Sequence, residues 1–137
     1  MNLFVYGTLL VPRIWETVSG ISNASGKKGS ISGYQILRVR GGDFPGIVLT
    51  EKNEDSVTGN LFCDLPGRAM KRLDAYEDTF YERRKVDVIL TDGSRVSAHA
   101  YVVPESKAPK ILSTDPWTLE WFEEHALETY WARLFGS

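Results

Sequence analysis

The chain has 137 residues, of which 42% are hydrophobic and 25% charged, and its formal net charge is −2. These values are typical of one globular domain, here residues 1–137, and they exclude an electrostatic basis for binding nucleic acid or an anionic membrane. The single cysteine excludes an intrachain disulfide, and together with two distant histidines it lacks the spacing of a metal site, so we expect neither metal nor cofactor.

The start of the chain and its hydropathy bear on where the protein is found. Met1 leads directly into an apolar segment without a basic leader, and no apolar stretch approaches the ~18 residues that a membrane-spanning helix needs. We therefore expect a cytoplasmic protein.

The first part of the chain predicts a strand, a short loop and a helix. NLFVY, residues 2–6, is apolar throughout, as expected of a strand that is covered on both faces. After the GTL loop, Pro12 and Gly20 occupy the positions that these residues prefer at the first turn and just past the last turn of a helix. SNASGKKGS, residues 22–30, is predicted to be a polar loop.

Three strand candidates follow, at residues 31–39, 45–50 and 56–65. In the third candidate every second residue shares one face, because side chains alternate along a strand. Cys63 belongs to the apolar face, so we predict that it is a small buried core residue and not a reactive thiol.

Residues 67–78 have the period of a helix. Met70, Leu73 and then Tyr76 or Glu77 recur at spacings of three and four, so they line one side of the helix. We expect this side to face the core.

The rest of the chain predicts a hairpin and a long helix. Residues 80–104 have the pattern of two strands joined at Asp92-Gly93, a dipeptide that accepts the backbone angles of a tight turn. Asp115 and Pro116 form a cap and first turn ahead of a long amphipathic helix, which carries three of the four tryptophans. We interpret those tryptophans as a packing stripe.

The order of these elements favours the α+β class. At least five mostly consecutive strands and three helices predict a strongly curved or closed β-sheet with helices packed on it. A doubly wound parallel sheet would need a regular alternation of strand and helix, which the chain lacks.

YGTL, residues 6–9, is the first candidate site. Gly7 can let the backbone turn sharply and expose its N–H groups, and Thr8 adds a hydroxyl donor, so the loop could hold an anion. The alternative is a purely structural turn. The loop lacks the glycine-rich motifs of nucleotide-binding loops, which argues against a nucleotide phosphate.

Glu77 is the second candidate. It lies at the end of a helix with an apolar inner side and among aromatic residues, where loss of hydration would raise its pKa above about 4.3 and make it a general base. The alternative is a helix-terminal glutamate that points into solvent. Asp74 is predicted to face away from the inner side, and Asp78 to be a helix-end residue.

Other polar and aromatic residues have simpler interpretations. Tyr6 could line a cavity or belong to the core, and for Tyr101 the core interpretation takes precedence over cavity lining. Arg83 is interpreted first as a structural ion pair and second as a partner of a substrate carboxylate. His99 and His125 are predicted to lie on the surface.

Several segments occur in the order seen in the gamma-glutamylcyclotransferase-like (AIG2-like) family, and the chain resembles this family over residues 2–103. The segments are YGTL after an amino-terminal strand, FPGIV at 44–48, VTGNLF at 57–62, LDAYE at 73–77, YxRxxVxV at 81–88 and AYV at 100–102. The resemblance implies a small mixed β-barrel with helices outside and an active-site cavity at one end.

The resemblance also implies a reaction and a set of site residues. In this family the α-amine of a γ-glutamyl amide or amine attacks its own γ-carbonyl, which gives 5-oxoproline and releases the amine. The nucleophile belongs to the substrate, so no serine, cysteine, metal or cofactor is needed. Glu77 is then the catalytic acid/base, and Tyr6, Gly7, Thr8 and Leu9 bind the substrate.

One departure and two alternatives remain. Asp78 stands where family members often carry glycine, and its negative charge would raise the pKa of Glu77 further or disfavour an anionic leaving amine. A non-catalytic binding module for a small acidic metabolite or a peptide end, using the same cavity, is the alternative function. A less favoured one is a protein whose aromatic last helix docks on a partner.

Overall fold

Seven strands and five α-helices form the regular structure of residues 1–22 and 25–136, the part of the chain that the computed structural model describes. The strands are Leu3–Val5 (β1), Lys27–Ser32 (β2), Tyr34–Arg38 (β3), Pro45–Leu49 (β4), Ser56–Phe62 (β5), Glu82–Leu90 (β6) and Arg95–Val102 (β7). The helices are Pro12–Ser19 (α1), Gly67–Tyr76 (α2), Ala108–Ile111 (α3), Leu119–His125 (α4) and Leu127–Leu134 (α5). A 3-10 turn, Thr8–Leu10, separates β1 from α1.

Five of the strands close into a barrel in the order β1-β5-β2-β6-β7. Neighbours along this order pair antiparallel, and a parallel bridge between Leu3 of β1 and His99 of β7 closes the ring. Strands β3 and β4 form a separate antiparallel pair. The predicted α+β architecture, a curved or closed sheet with helices outside, is thereby confirmed.

Strand β1 is buried on both faces, as its uniformly apolar sequence predicts. Phe4 packs with the barrel interior, whereas Leu3 and Val5 pack with a second core beneath the helices. Because side chains alternate along a strand, one short segment serves both cores.

The helical core covers the outside of the barrel. The Trp15 ring of α1 stacks on the Phe62 ring of β5, with centroids 3.8 Å apart and planes 12° apart. Arg72 of α2 donates to the carbonyl oxygen of Val18 at 2.9 Å and so ties α2 to α1. Phe122 of α4 is fully buried in the same core. These contacts fix the helices that surround the site described below.

Three local predictions are confirmed. Helix α1 begins at Pro12 and is followed by Gly20, whose φ of +76° is the left-handed conformation that glycine adopts most easily. Helix α2 buries Met70 and Leu73. Strands β6 and β7 form the hairpin, with Gly93 at φ +86° in its turn.

The prediction of a polar loop over residues 22–30 is wrong for the carboxyl-terminal part of that segment. Residues from Lys27 onward pair with β5 and form β2, because backbone pairing does not require apolar side chains on an exposed face. Asn23 and Ala24 lie outside the described residues. The single strand predicted at residues 31–39 is two strands, separated by Gly33 at φ +84°.

Cys63 is exposed, so the prediction of a buried core residue is wrong. Strand β5 ends at Phe62, and Asp64 adopts a φ of +56°, so the alternation of faces stops before Cys63. Leu65, two residues further, is buried for a different reason, its contacts with the helical core.

The predicted long last helix is two helices. It begins at Leu119, where the Thr118 hydroxyl caps it by accepting from the Trp121 N–H at 3.1 Å, and it is interrupted at Ala126. Asp115 does not cap the helix, since its carboxylate pairs with Arg38 at 3.2 Å. No described helix has the length and apolar character that a bilayer-spanning segment requires.

Candidate active site

A cavity of about 230 Å³ lies where β1 runs into the 3-10 turn, beside the ends of α2 and α5. Its volume is below the ~300–1,000 Å³ of pockets for drug-sized ligands, so it suits a small metabolite. The residues that line it are Phe4–Leu9, Phe44, Pro45, Tyr76–Asp78, Tyr81, Tyr101, Tyr130, Arg133 and Leu134. The loop and the glutamate singled out in the sequence therefore border one cavity.

The 3-10 turn supplies the backbone of one wall. Gly7 has a φ of −119°, so its glycine is required not by a left-handed conformation but by close packing: a Cβ there would lie 2.8 Å from Cγ of Pro45. Within residues 1–22 and 25–136, the N–H groups of Gly7, Thr8 and Leu9 have no protein acceptor. They are candidate donors for a bound anion.

Three hydroxyl groups connect this turn to two helices. The Thr8 hydroxyl is 2.7 Å from the Tyr76 hydroxyl of α2, which in turn forms a short hydrogen bond with the Tyr130 hydroxyl of α5. The Thr8 hydroxyl, predicted to be a donor of the loop, thus also forms a hydrogen bond that connects the turn to α2. Tyr130 was not anticipated, because the aromatic spacing of the last helix indicated only packing.

A second group of polar contacts holds β7 against α2. The Tyr6 hydroxyl donates to the backbone oxygen of Tyr101 at 2.7 Å, and the Tyr101 hydroxyl donates to Asp74 at 2.7 Å. Both tyrosines are buried and both line the cavity, so the core and cavity interpretations hold together. Arg83 donates to both oxygens of Asp74 at 2.8 and 2.9 Å, which is the structural ion pair that was expected first.

Glu77 follows the last residue of α2, and its backbone has left the helix with φ −77° and ψ 144°. Its pKa is raised to about 8, first because burial penalises the charged form and then because Asp78 and Asp74 lie nearby. The residue keeps some exposed surface, and the protein around its carboxyl group removes part of the hydration that the charged form would have. The direction of the shift and the contribution of Asp78 agree with the sequence-based expectation.

Glu77 also borders a more open polar recess next to the cavity. This recess is lined by Asp74, Asp78, Thr79 and Arg83 in addition to Glu77 and two of the cavity tyrosines. A proton on the carboxyl of Glu77 could therefore exchange with solvent through the recess while a ligand occupies the cavity.

The five tyrosines of the cavity remain neutral hydrogen-bonding groups near pH 7. Burial is the first cause that raises the pKa of each of them, and the nearby Glu77 carboxyl adds to the effect. These residues are Tyr6, Tyr76, Tyr81, Tyr101 and Tyr130. These tyrosines therefore add no negative charge to the surroundings of Glu77.

Residues 1–22 and 25–136 contain no group of three or more His, Cys, Asp or Glu side chains that could hold a metal ion. His99 is partly exposed on β7, and His125 is exposed on α4 with Nδ1 3.1 Å from the Trp121 oxygen, as their predicted surface positions imply.

Together the fold and the cavity define a small closed barrel with external helices, in which a desolvated carboxyl group and a ring of tyrosines face a metabolite-sized pocket. The chain belongs to the gamma-glutamyl cyclotransferase, AIG2-like family, whose model matches residues 3–119.

Individual relatives agree with this assignment. AIG2-like protein C of Arabidopsis thaliana is 30% identical over 138 residues, which cover 94% of this chain and 73% of that protein. An AIG2-like protein from Mus musculus superimposes with a TM-score of 0.68 at 21% identity, over 85% of this chain and 84% of that one. A solved gamma-glutamyl cyclotransferase superimposes with a TM-score of 0.63 at 15% identity, over 75% and 66% of the two chains. At these identities the two solved structures show the shared fold.

Proposed function

We propose that this protein cyclises a γ-glutamyl amide or amine to 5-oxoproline and releases the amine, with Glu77 as general acid/base. The observation that carries the proposal is the desolvated carboxyl of Glu77, which borders the same cavity as the unpaired N–H groups of the 3-10 turn. The family to which the chain belongs, and the name of the solved gamma-glutamyl cyclotransferase of similar fold, support the same reaction.

The first step forms the ring. The ionised carboxyl of Glu77 takes a proton from the substrate α-ammonium, and the free amine nitrogen attacks the γ-carbonyl carbon. A new C–N bond closes a five-membered ring, and the carbonyl oxygen becomes an oxyanion. A pKa of about 8 suits this step, because a base is most effective when its pKa lies close to the working pH.

The second step breaks the original amide. The protonated carboxyl of Glu77 gives its proton to the leaving nitrogen, the oxyanion reforms the carbonyl, and the bond between that carbon and the leaving nitrogen breaks. The ring nitrogen, which holds two hydrogens after the attack, passes one of them as a proton through solvent to the released amine. The products are therefore 5-oxoproline and the amine in its protonated form, and Glu77 is again ionised. One carboxyl group therefore serves both proton transfers, and the protein supplies no nucleophile.

The backbone of the turn would supply electrostatic stabilisation of the substrate and of the charge that develops on it. The N–H groups of Gly7, Thr8 and Leu9 would bind the α-carboxylate of the substrate or the developing oxyanion, where loss of one donor costs about 3 kcal/mol. Tyr6 borders the same space and would contribute shape, since its hydroxyl is engaged with the backbone of β7. The cavity would hold the glutamyl chain in a folded, ring-forming conformation.

The test is a panel of γ-glutamyl amides incubated with the protein, with 5-oxoproline measured by mass spectrometry. We expect product from at least one member, and a rate at least ~100-fold lower for Glu77→Gln, the size of a lost general acid/base. Glu123→Gln makes the same chemical change on an exposed position of α4 and should match the parent. Circular dichroism would confirm that both variants are folded.

Two results would contradict the proposal in different ways. If Glu77→Gln turned over as fast as the parent, Glu77 would not be the acid/base. If the parent bound a γ-glutamyl ligand or 5-oxoproline in calorimetry but formed no product, the non-catalytic binding module would be the correct function. The single domain of residues 1–137, the small-molecule partner and the cytoplasmic location stay predictions.

A further inference from the structure

Arg133 is the only cationic residue among those that the structure places around the cavity. Its nearest carboxylate is Asp43, at 4.0 Å, which is beyond hydrogen-bonding distance. The guanidinium lies 5.4 Å from the centre of the Tyr130 ring, and its side chain is 53% exposed. Among the described residues Asp43 is its ion-pair partner, and at this distance the guanidinium N–H groups donate no hydrogen bond to it, so they are available to a ligand.

Arg83, the cation of the neighbouring recess, is not available in the same way. It donates to both oxygens of Asp74, and that carboxylate also accepts from Tyr101. Both hydrogen bonds come from Nη1, so the charge of Arg83 is held by Asp74 at 2.8 Å, whereas Arg133 is 4.0 Å from Asp43. The two arginines near Glu77 therefore differ in how closely a carboxylate of the protein pairs with them.

Arg133 lies close to the reacting region. Arg133, Tyr130 and Glu77 line the same cavity, and the guanidinium of Arg133 lies over the Tyr130 ring. The causes that raise the pKa of Glu77 are burial, Asp78 and Asp74. Among the described residues Arg133 forms its ion pair with Asp43 and not with Glu77, and the 4.0 Å separation leaves its N–H donors for a further partner.

The chemistry of the substrate indicates what that partner is. A γ-glutamyl donor carries one α-carboxylate, for which the turn already offers three N–H groups. A second carboxylate in the cavity would face the negative charge of Asp78 and would be costly to desolvate without a cation. Arg133, with a planar array of donors, matches a carboxylate geometrically as well as by charge.

We propose that Arg133 binds a carboxylate on the leaving amine, so that the preferred donors are γ-glutamyl amides of amino acids rather than of simple or cationic amines. The inference rests on the proposed function and deepens it. The negative charge of Asp78, taken alone, would disfavour an anionic leaving amine, so this proposal is opposite to that expectation. It also assigns specificity to α5, which lies beyond residues 3–119, the part of the chain that matches the family model.

The test compares two donors that differ only in this carboxylate, γ-glutamyl-alanine and γ-glutamyl-ethylamide. We expect the parent to prefer γ-glutamyl-alanine, and Arg133→Gln to reduce the ratio of the two kcat/KM values tenfold or more, mainly through the KM of γ-glutamyl-alanine. Arg133→Lys should restore part of the ratio, because it keeps the charge and loses the planar donors. Arg95→Gln, at an exposed position of β7, is the control and should keep the parent ratio.

A ratio that Arg133→Gln leaves within twofold of the parent value would overturn the inference. Calorimetry with the same two ligands separates this failure from failure of the proposed function. If no 5-oxoproline forms, weaker binding of γ-glutamyl-alanine by Arg133→Gln with less loss for the ethylamide still supports recognition of the second carboxylate. Equal losses for both ligands, or no binding of either by the parent, would overturn it.

Discussion

At the scale of single residues, Glu77 owes its chemistry to the place where α2 ends. The residue is the first one outside the helix, and it lines a cavity whose wall includes five tyrosines. Burial there favours the protonated form, and the charge of Asp78 adds to this preference. A carboxyl group of this kind is costly for stability, which gives a test that does not depend on knowing the substrate.

Glu77 should make the protein less stable as the pH rises. Its folded-state pKa of about 8 lies above the ordinary value of 4.5, so the native state holds a proton that the unfolded state has lost. The stabilising effect of that proton is complete below pH 4.5 and is lost as the pH rises to about 8, with a total of up to about 5 kcal/mol. Urea unfolding of the parent and Glu77→Gln from pH 5 to 8.5 measures the effect.

The expected result is that the two proteins converge near pH 5 and that Glu77→Gln is the more stable at pH 8.5. Glu123→Gln, on the surface of α4, should follow the parent throughout. If Glu77→Gln and the parent showed the same pH dependence, the carboxyl would be hydrated, and its role as a desolvated base would fail with it.

At the scale of elements, the 3-10 turn is defined by what packs against it. Gly7 touches Pro45 of β4, Thr8 is hydrogen-bonded to α2, and Leu9 is buried in the helical core. In each of these contacts the segment that follows β1 packs against a different part of the molecule. The position of the three N–H groups is thus set by β4 and α2 as much as by the turn itself.

Gly7→Ala should displace the turn. The new Cβ would lie 2.8 Å from Cγ of Pro45, and relieving such an overlap costs about 1 to 3 kcal/mol. We expect a matching fall in the free energy of unfolding and a loss of 5-oxoproline formation greater than the loss of folded protein. Urea unfolding and product assays at a temperature where the variant is folded measure the two effects.

Gly67→Ala is the matched control for this change. Gly67 is the first residue of α2, a Cβ there has no atom within 4 Å, and alanine favours a helix over glycine. The control should be as stable as the parent or slightly more stable. If Gly7→Ala behaved like Gly67→Ala, close packing on Pro45 would not explain the glycine.

At the scale of the whole molecule, the barrel supplies only part of the cavity. Tyr130, Arg133 and Leu134 come from α5, which reaches the site because α4 is anchored in the helical core by Phe122. The Phe122 ring is 5.2 Å from the Tyr130 ring and 5.8 Å from the Trp117 ring. The last part of the chain is therefore a wall of the site.

Phe122→Ala should destabilise the protein by about 3 to 5 kcal/mol, because it removes a fully buried ring and leaves a cavity. Phe122→Leu keeps most of the volume and should lose clearly less. Urea unfolding of both variants measures the difference. Equal losses would mean that the site does not depend on filling this space, and a loss under 1 kcal/mol for alanine would mean that α4 is not anchored there.

Much of the fold could be predicted from local signals. The doubly covered β1, the capped α1, the amphipathic α2 and the β6–β7 hairpin follow from hydrophobic period, Pro and Gly positions and turn residues, which act over a few neighbouring residues. The errors have a common cause. Each error depends on where a strand pairs with another strand or where a helix packs. A short stretch of sequence does not contain that information. The errors are the burial of Cys63, the start of β2 and the break at Ala126.

Periodicity and motif order are properties of neighbouring residues, so they were enough to predict the class of fold, the resemblance to the family and the two segments that border the cavity. The presence of Tyr130 and Arg133 in the same wall, the hydrogen bond between Thr8 and Tyr76, and the loss of hydration at Glu77 became visible only in the folded molecule. A pKa, a hydrogen bond between distant residues and the partner of a cation depend on the surrounding atoms in space, and the packing of barrel and helices sets those distances.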